Sequence, residues 1–211
     1  MIPADDIVRR AGILLLDEEH VRWSVGEIMD WAVDGASVVV SLNHAAGAKP
    51  EEIELEEGVF QSVDALEVMD VVRVLPNGEP IQRTDRYMLD ASDPGWYARK
   101  PTEKIVHYCR DDRDIADFYV YPPAKAGTKV EALVARIPER PEKGGTLEIN
   151  AKYMDAIINY VAYRAFAKDS EFANGQVSVA YYNAFLQGIG ATKQAAMEVS
   201  PNMQARIGGE E

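Results

Sequence analysis

The hydrophobic period of this chain changes twice, and that change limits its fold more than any motif does. Val21, Val25, Ile28, Met29, Ala32, Ala36 and Val39 recur at steps of three and four, which lines them up on one helical face. Between residues 52 and 137 the step shortens to two, as in Leu66, Val68, Val72 and Val74 with Asp70 as the exception. Such alternation belongs to strands with one buried side. Beyond residue 145 the helical step returns in Ile149, Tyr153, Ala156, Ile157, Tyr160, Val161 and Ala165. This order predicts an α+β protein in which N- and C-terminal helices pack as a bundle and carry an inserted β-rich subdomain.

Punctuation refines the division. A short helix is expected over 4–15, and Asp17 and Ser24 both suit an N-cap before the long helix, with Glu18, Glu19 and Glu27 favourable in a first turn. The β-branched run at 38–40 weakens the helix toward Asn43, and Gly47 and Pro50 close it. Pro76-Asn77-Gly78 is a hairpin signal. Further strands are expected at 105–110, at 118–121 ended by Pro122-Pro123, and at 130–137 ended by Pro138. Eight of the eleven prolines lie between 76 and 141, which favours short strands with rigid connections, and 138–145 reads as a linker. Asn150 caps the next helix, and Asn174-Gly175 separates it from another in which Val177, Ala180, Tyr181, Ala184, Phe185 and Ile189 share a face. The expected parts are a bundle from 1–50 plus 146–190, an insert over 51–145 and a C-terminal arm over 191–211.

Charge narrows the function. The chain carries 35 acidic and 22 basic side chains, a net of −13, and residues 51–100 alone hold twelve acids against five bases. A surface this acidic repels phosphate, and no basic stripe interleaved with aromatics occurs, which argues against a DNA-coating or DNA-reading role. The run Glu51, Glu52, Glu54, Glu56 and Glu57 is either a solvated edge or the lining of a channel that DNA passes without sticking. The single Cys109 excludes an internal disulfide framework and a cysteine-rich zinc site. An intracellular or virion protein fits best. Asp5, Asp6, Arg9 and Arg10 leave no room for a signal peptide, and no apolar run nears the ~20 residues of a membrane span. A soluble, unprocessed chain is expected.

No catalytic constellation stands out. His107 and Cys109, two apart on an expected strand, project to one face, but nothing marks the third group that a cysteine nucleophile and its base require. Asp111, Asp112, Asp114 and Asp117 supply oxygen ligands without the glycine and glutamate of a calcium loop, and Arg110 and Arg113 offset their charge. His20 and His44, expected far apart on the long helix, lack partners at ligand spacing. The segment from Gly188 to Lys193 lacks phosphate-loop spacing and reads as a helix-ending turn. The chain reads as no enzyme, with no metal and no cofactor.

Four segments carry a further signal: SVGEIMDWAVDGASVVVSLNH, RTDRYMLDASDPGWY, HYCRDDRDIADFYVYPPAKAG and KYMDAIINYVAYRAFAKDSEFANGQVSVAYYNAFLQGIG. Their landmarks are Leu89-Asp90 followed by Pro94 and Trp96, the pair Pro122-Pro123, and the step Lys168-Asp169. Over roughly residues 12–190 this order resembles the head-to-tail adaptor (connector, or head completion) proteins of tailed bacteriophages, particularly the short-tailed type. The resemblance implies a structural virion protein of the neck, made in the bacterial cytoplasm. It forms a ring, commonly of twelve copies, below the portal. That ring extends the DNA channel, retains the packaged genome without binding it specifically, and receives tail or nozzle proteins. On that reading Tyr87, Trp96, Tyr97, Tyr119 and Tyr121, with Tyr108, suit subunit contacts, ordinary core packing being their alternative. The glutamates at 51, 52, 54, 56 and 57 suit the channel lining. Met203, Arg206 and Ile207 of the arm suit portal docking, against a disordered tail. The competing readings are a tail terminator or tail-tube subunit, and a hydrolase using Cys109 or the aspartates from 111 to 117.

Overall fold

Ser24 starts the long helix of the computed structural model. This model describes residues 1–76, 78–111, 114–168 and 174–199, with side chains at all of these but 193 and 195–199. Asn77, Asp112, Arg113, Asp169, Met203, Arg206 and Ile207 lie outside the described residues. The chain divides into two units, one of Met1–Ala46 with the chain from Pro138 on, the other Gly47–Ile137. The changeovers thus fall at 47 and 138, where the sequence reading put 51 and 146.

In the first unit, strand β1 (Ile2–Pro3) leads into helix α1 (Ala4–Leu15), which buries Ile7, Val8, Ala11 and Leu15. Leu16, in the left-handed region at φ 53°, ends it. Asp17 does not cap the next helix. Its carboxylate instead accepts backbone N–H groups from Val21, Arg22 and Trp23 at 2.9, 3.0 and 3.0 Å, folding the connection into a tight elbow. Val21 consequently lies outside the helix and is exposed, and His20 sits in the elbow rather than on a helix. Helix α2 (Val25–Leu42) opens with a capping box, Ser24 and Glu27 each accepting the other's backbone N–H. Its β-branched end persists because Val39 and Val40 are wholly buried, and burial outweighs their weak propensity. Asn43 ends it, donating from Nδ2 to the Tyr153 hydroxyl at 2.7 Å, and His44 falls in the 3-10 turn that follows.

Strand β9 (Thr146–Leu147) pairs antiparallel with β1, and Asn150 caps a 3-10 turn that runs into helix α4 (Met154–Ala167). Ala156, Ile157, Ile158, Tyr160, Val161, Ala162 and Ala165 of α4 are all buried, because it lies between the pair α1 and α2 and the last helix, α5 (Gly175–Val199). Two expectations fail on α5. Gly188 and Gly190 are interior to it rather than helix-ending, Gly188 letting α5 approach Ala156, and the helix continues to Val199 where an arm was expected. Ala180 is exposed, while Ser178, Phe185 and Ile189 are buried.

The second unit holds two sheets. One orders strand β2 (Ala48–Leu55), β8 (Thr128–Ala135) and β4 (Glu67–Leu75); the other orders β3 (Gly58–Ser62), β7 (Asp117–Ala124), β6 (His107–Arg110) and β5 (Gln82–Arg83). Leu55, Val68, Val71, Val74, Val130 and Val134 from the first meet Tyr108, Phe118 and Val120 from the second in one core. Period two fails on β4, because bulges follow Val68 and Val71, so Val68, Val71 and Val74 are buried at steps of three. Asp70, the exception in the pattern, accepts the Tyr108 hydroxyl at 2.6 Å. Pro50 lies inside β2 rather than closing a helix, which an edge strand tolerates. Pro122 and Pro123 lie inside β7, past the end of its β6 pairing and beside a bulge against β3. The chain between β5 and β6 forms helix α3 (Arg86–Ser92) and a 3-10 turn at Trp96–Ala98.

Candidate functional site

Strand alternation gives the four-stranded sheet two unlike faces. Tyr108, Phe118 and Val120 point into the core, so His107, Cys109, Tyr119 and Tyr121 share the other face. Leu89 of α3 and Trp96 cover that face over Cys109. Asp85 fixes the start of α3 by accepting the Tyr87 N–H at 2.7 Å. Asp90 accepts the Trp96 indole N–H at 2.8 Å. The Trp96 ring meets Tyr97, Tyr119 and Tyr121 edge-on, with centroids 5.8, 6.4 and 6.4 Å away. Asp93 accepts from Arg99 Nε at 2.6 Å and from the Tyr121 hydroxyl at 3.4 Å, and the arginine bond holds its carboxyl below the ordinary range.

The five aromatics singled out in the sequence therefore gather on one face, but in different roles. Trp96 is 3% exposed and Tyr108 1%, so for these two the core-packing alternative describes their place in the chain. Tyr119 and Tyr121 are half-buried beneath Trp96, on the face of the sheet away from Tyr108. Tyr87 and Tyr97 project, at 70% and 61% exposure. Sequence reasoning missed two neighbours, the exposed Met88 and Phe60, the latter edge-on to Tyr119 at 5.4 Å.

The acidic run divides likewise. Glu51 pairs with Arg136, just past the end of β8, at 3.0 Å, and Glu52 with Lys129 of β8 at 2.7 Å. Glu54, on β2, is exposed and stands opposite Lys129, whose charge it helps hold, while Glu56 and Glu57, on the turn into β3, are exposed and have no ion-pair partner among the described residues. Two of the five acids are thus neutralised within the unit.

The chemical alternatives gain little. His107 stacks on Tyr121, and its buried Nδ1 has no hydrogen-bond partner, so that atom does not activate Cys109. Asp111 is buried and accepts the Tyr119 hydroxyl at 2.9 Å, and Asp114 accepts the Ala116 N–H. Among the described residues no three His, Cys, Asp or Glu side chains converge as a metal site, and no helix is long and apolar enough to cross a membrane.

Comparison with known families decides the relationship. The model described as SU10 adaptor protein matches residues 2–206. The chain belongs to the SU10 adaptor protein family. No curated protein matches it. The match runs through both units of this adaptor, so the helical frame and the β-rich unit belong to one family pattern. It is a structural adaptor of bacteriophage type, and the aromatic and acidic surfaces above are its candidate working parts.

Proposed function

We propose that the adaptor assembles in the virion neck as a ring of twelve copies under the portal, extends the DNA channel, retains the packaged genome and receives the tail. The observation that carries this reading is the family match over residues 2–206. The geometry supports it in two ways. Tyr87, Met88 and Tyr97 project from the α3 and 3-10 segment whose Leu89 and Trp96 are buried on the sheet, exposed apolar side chains suited to a protein partner. Glu56 and Glu57 supply exposed negative charge suited to a lumen that DNA slides past, with Glu54 partly offset by Lys129 opposite it on β8. In this reading the chain beyond α5, with Met203, Arg206 and Ile207, docks on the portal.

Light-scattering mass on the purified protein, alone and then with its cognate portal protein, tests the proposal. A free mass near 23.4 kDa that converts to a portal-bound ring supports it. A stable small oligomer indifferent to the portal refutes it. Ending the chain after Val199 leaves α5 whole, and the shortened protein should fold but no longer join the portal.

A further inference from the structure

Charge is segregated within the unit Gly47–Ile137. Residues 51–70 hold eight acidic side chains and no basic one, whereas residues 83–110 hold six basic and four acidic. The two stretches supply opposite edges of the four-stranded sheet, β3 at one end of its order and β5 at the other. Pairing within the unit satisfies Glu51 and Glu52 on the acidic side, and Arg99, Lys104 and Arg110 on the basic side. Glu56 and Glu57 beside β3, and Arg83 and Arg86 on β5 and at the start of α3, are exposed and have no ion-pair partner among the described residues. Acids outnumber bases 35 to 22 in this chain, so cations are the scarce charge. Two arginines left unpaired in such a chain are available to carboxylates from outside it.

Both edges are held in shape. The buried Gln61 clamps the acidic turn, its Oε1 accepting the Glu56 N–H at 2.8 Å and its Nε2 donating to the Glu56 carbonyl at 3.0 Å. At the other edge Asp85 is engaged by the Tyr87 N–H, and Arg110 by Glu67. A hollow of about 90 Å³ lies among Arg83, Arg86, Asp85, Arg110 and Asp111. That is far below the roughly 300–1,000 Å³ of a small-molecule pocket, and it admits the end of a side chain rather than a cofactor. Exposed apolar groups adjoin each charged pair: Phe60, 44% exposed, follows the glutamates, and Tyr87 and Met88 follow the arginines. A surface formed in advance loses little freedom on binding.

We propose that these two edges meet between neighbouring copies: Glu56 and Glu57 of one copy pair with Arg83 and Arg86 of the next, and Phe60 of the first lies toward Tyr87 and Met88 of the second. A second copy is the occupant because it carries the complement, two carboxylates for two guanidiniums, each pair without a partner in its own chain. Like edges repel, which disfavours two-fold pairing of either edge with itself. Unlike edges give a heterologous contact, which runs head to tail and can close into a ring. Opposite charge at the seam also offsets the repulsion among chains of net charge −13. The contact rests on the ring reading above, and it gives Glu56 and Glu57 a place in the seam between copies as the alternative to the lumen.

Charge exchange between full-length chains tests it. E56K/E57K and R83E/R86E each set like charges against one another at every seam, so either chain alone should give at least about tenfold less ring on the portal at equal concentration. Mixed in equal amounts, the two chains restore opposite charge wherever they alternate, and ring yield should return to that of the parent. All four positions lack a partner in the chain, so both variants should keep the circular-dichroism melt of the parent. Where one melts early, E56Q/E57Q and R83Q/R86Q replace the pair, and each should lower ring yield at least about threefold. With melts unchanged, full yield from either chain alone, or a mixture no better than its parts, overturns the proposal and leaves the ring reading standing. A parent chain that forms no ring on the portal overturns that reading, and the contact falls with it.

Discussion

Gly35 of α2 lies against the ring of Tyr160 on α4: a Cβ at position 35 would stand 2.9 Å from both Cγ and Cδ1. The ring has little room to retreat, with Phe185 and Tyr163 centroids 5.0 and 5.5 Å away. One missing methyl group thus sets how closely the two helices meet.

Gly35→Ala should therefore destabilise the protein by about 1–3 kcal/mol despite the better helix propensity of alanine. Urea denaturation measures this. A neutral or stabilising effect would show that Tyr160 can move aside.

Asp17 gives a pH dependence. Burial pushes its carboxyl up, but hydrogen bonds from Trp23, Val21 and Arg22 outweigh this and hold it below the ordinary range. A group depressed in the folded state contributes stability that is fully present above its unfolded pKa, near 3.9, and is lost as pH falls through the folded value. Asp17→Asn should cost roughly 1–3 kcal/mol at neutral pH and flatten the acid limb of a stability profile taken below about pH 5. An unchanged acid limb would remove Asp17 as its source.

Trp96 and Tyr97 are adjacent and should behave differently. Trp96→Ala removes a buried ring and should cost about 3–5 kcal/mol. Tyr97→Ala, at an exposed position, should change stability by less than about 0.5 kcal/mol and yet weaken assembly. Thermal melts beside ring yield separate the two. Full assembly by Tyr97→Ala would take the aromatic cluster out of the proposed contacts.

The glutamates are separable too. Glu51→Lys sets a cation against Arg136 and should destabilise the protein by about 1 kcal/mol, whereas Glu56→Lys with Glu57→Lys should be neutral within about 0.5 kcal/mol. If those two line the lumen, rings of the double variant should retard duplex DNA in a low-salt gel, and added salt should release it. DNA running freely through the gel would move Glu56 and Glu57 out of the channel.

Much of this architecture was legible in the sequence because local chemistry and burial agree. Helix α1 spans the expected 4–15, and Ser24 with Glu27 marks the start of α2. Val21 misled because it stands four before Val25, so it continues the apolar step past the cap; periodicity alone does not say where a helix stops. The bulges of β4 shift its buried set from steps of two to steps of three, and they arise from pairing with a strand some sixty residues away. Gly188 reads as a terminator until the proximity of Ala156 supplies a packing reason for it. At the aromatic face the residue types were visible, but which of Trp96 and Tyr97 turns inward depends on α3 lying over the sheet, a tertiary fact.

Strand pairing between Ile2–Pro3 and Thr146–Leu147 bears on synthesis. The ribosome completes α1 and α2, then makes the whole unit Gly47–Ile137 before the first residue of α4 emerges. At the ordinary pace of translation that interval is on the order of 5–20 s. Throughout it Ile28, Val39 and Val40 have no α4 to cover them, while the inner unit, contiguous in the chain, already holds every strand of its two sheets. The younger part of the polypeptide can thus reach its final form first, and the older part waits for the C-terminal helices to arrive.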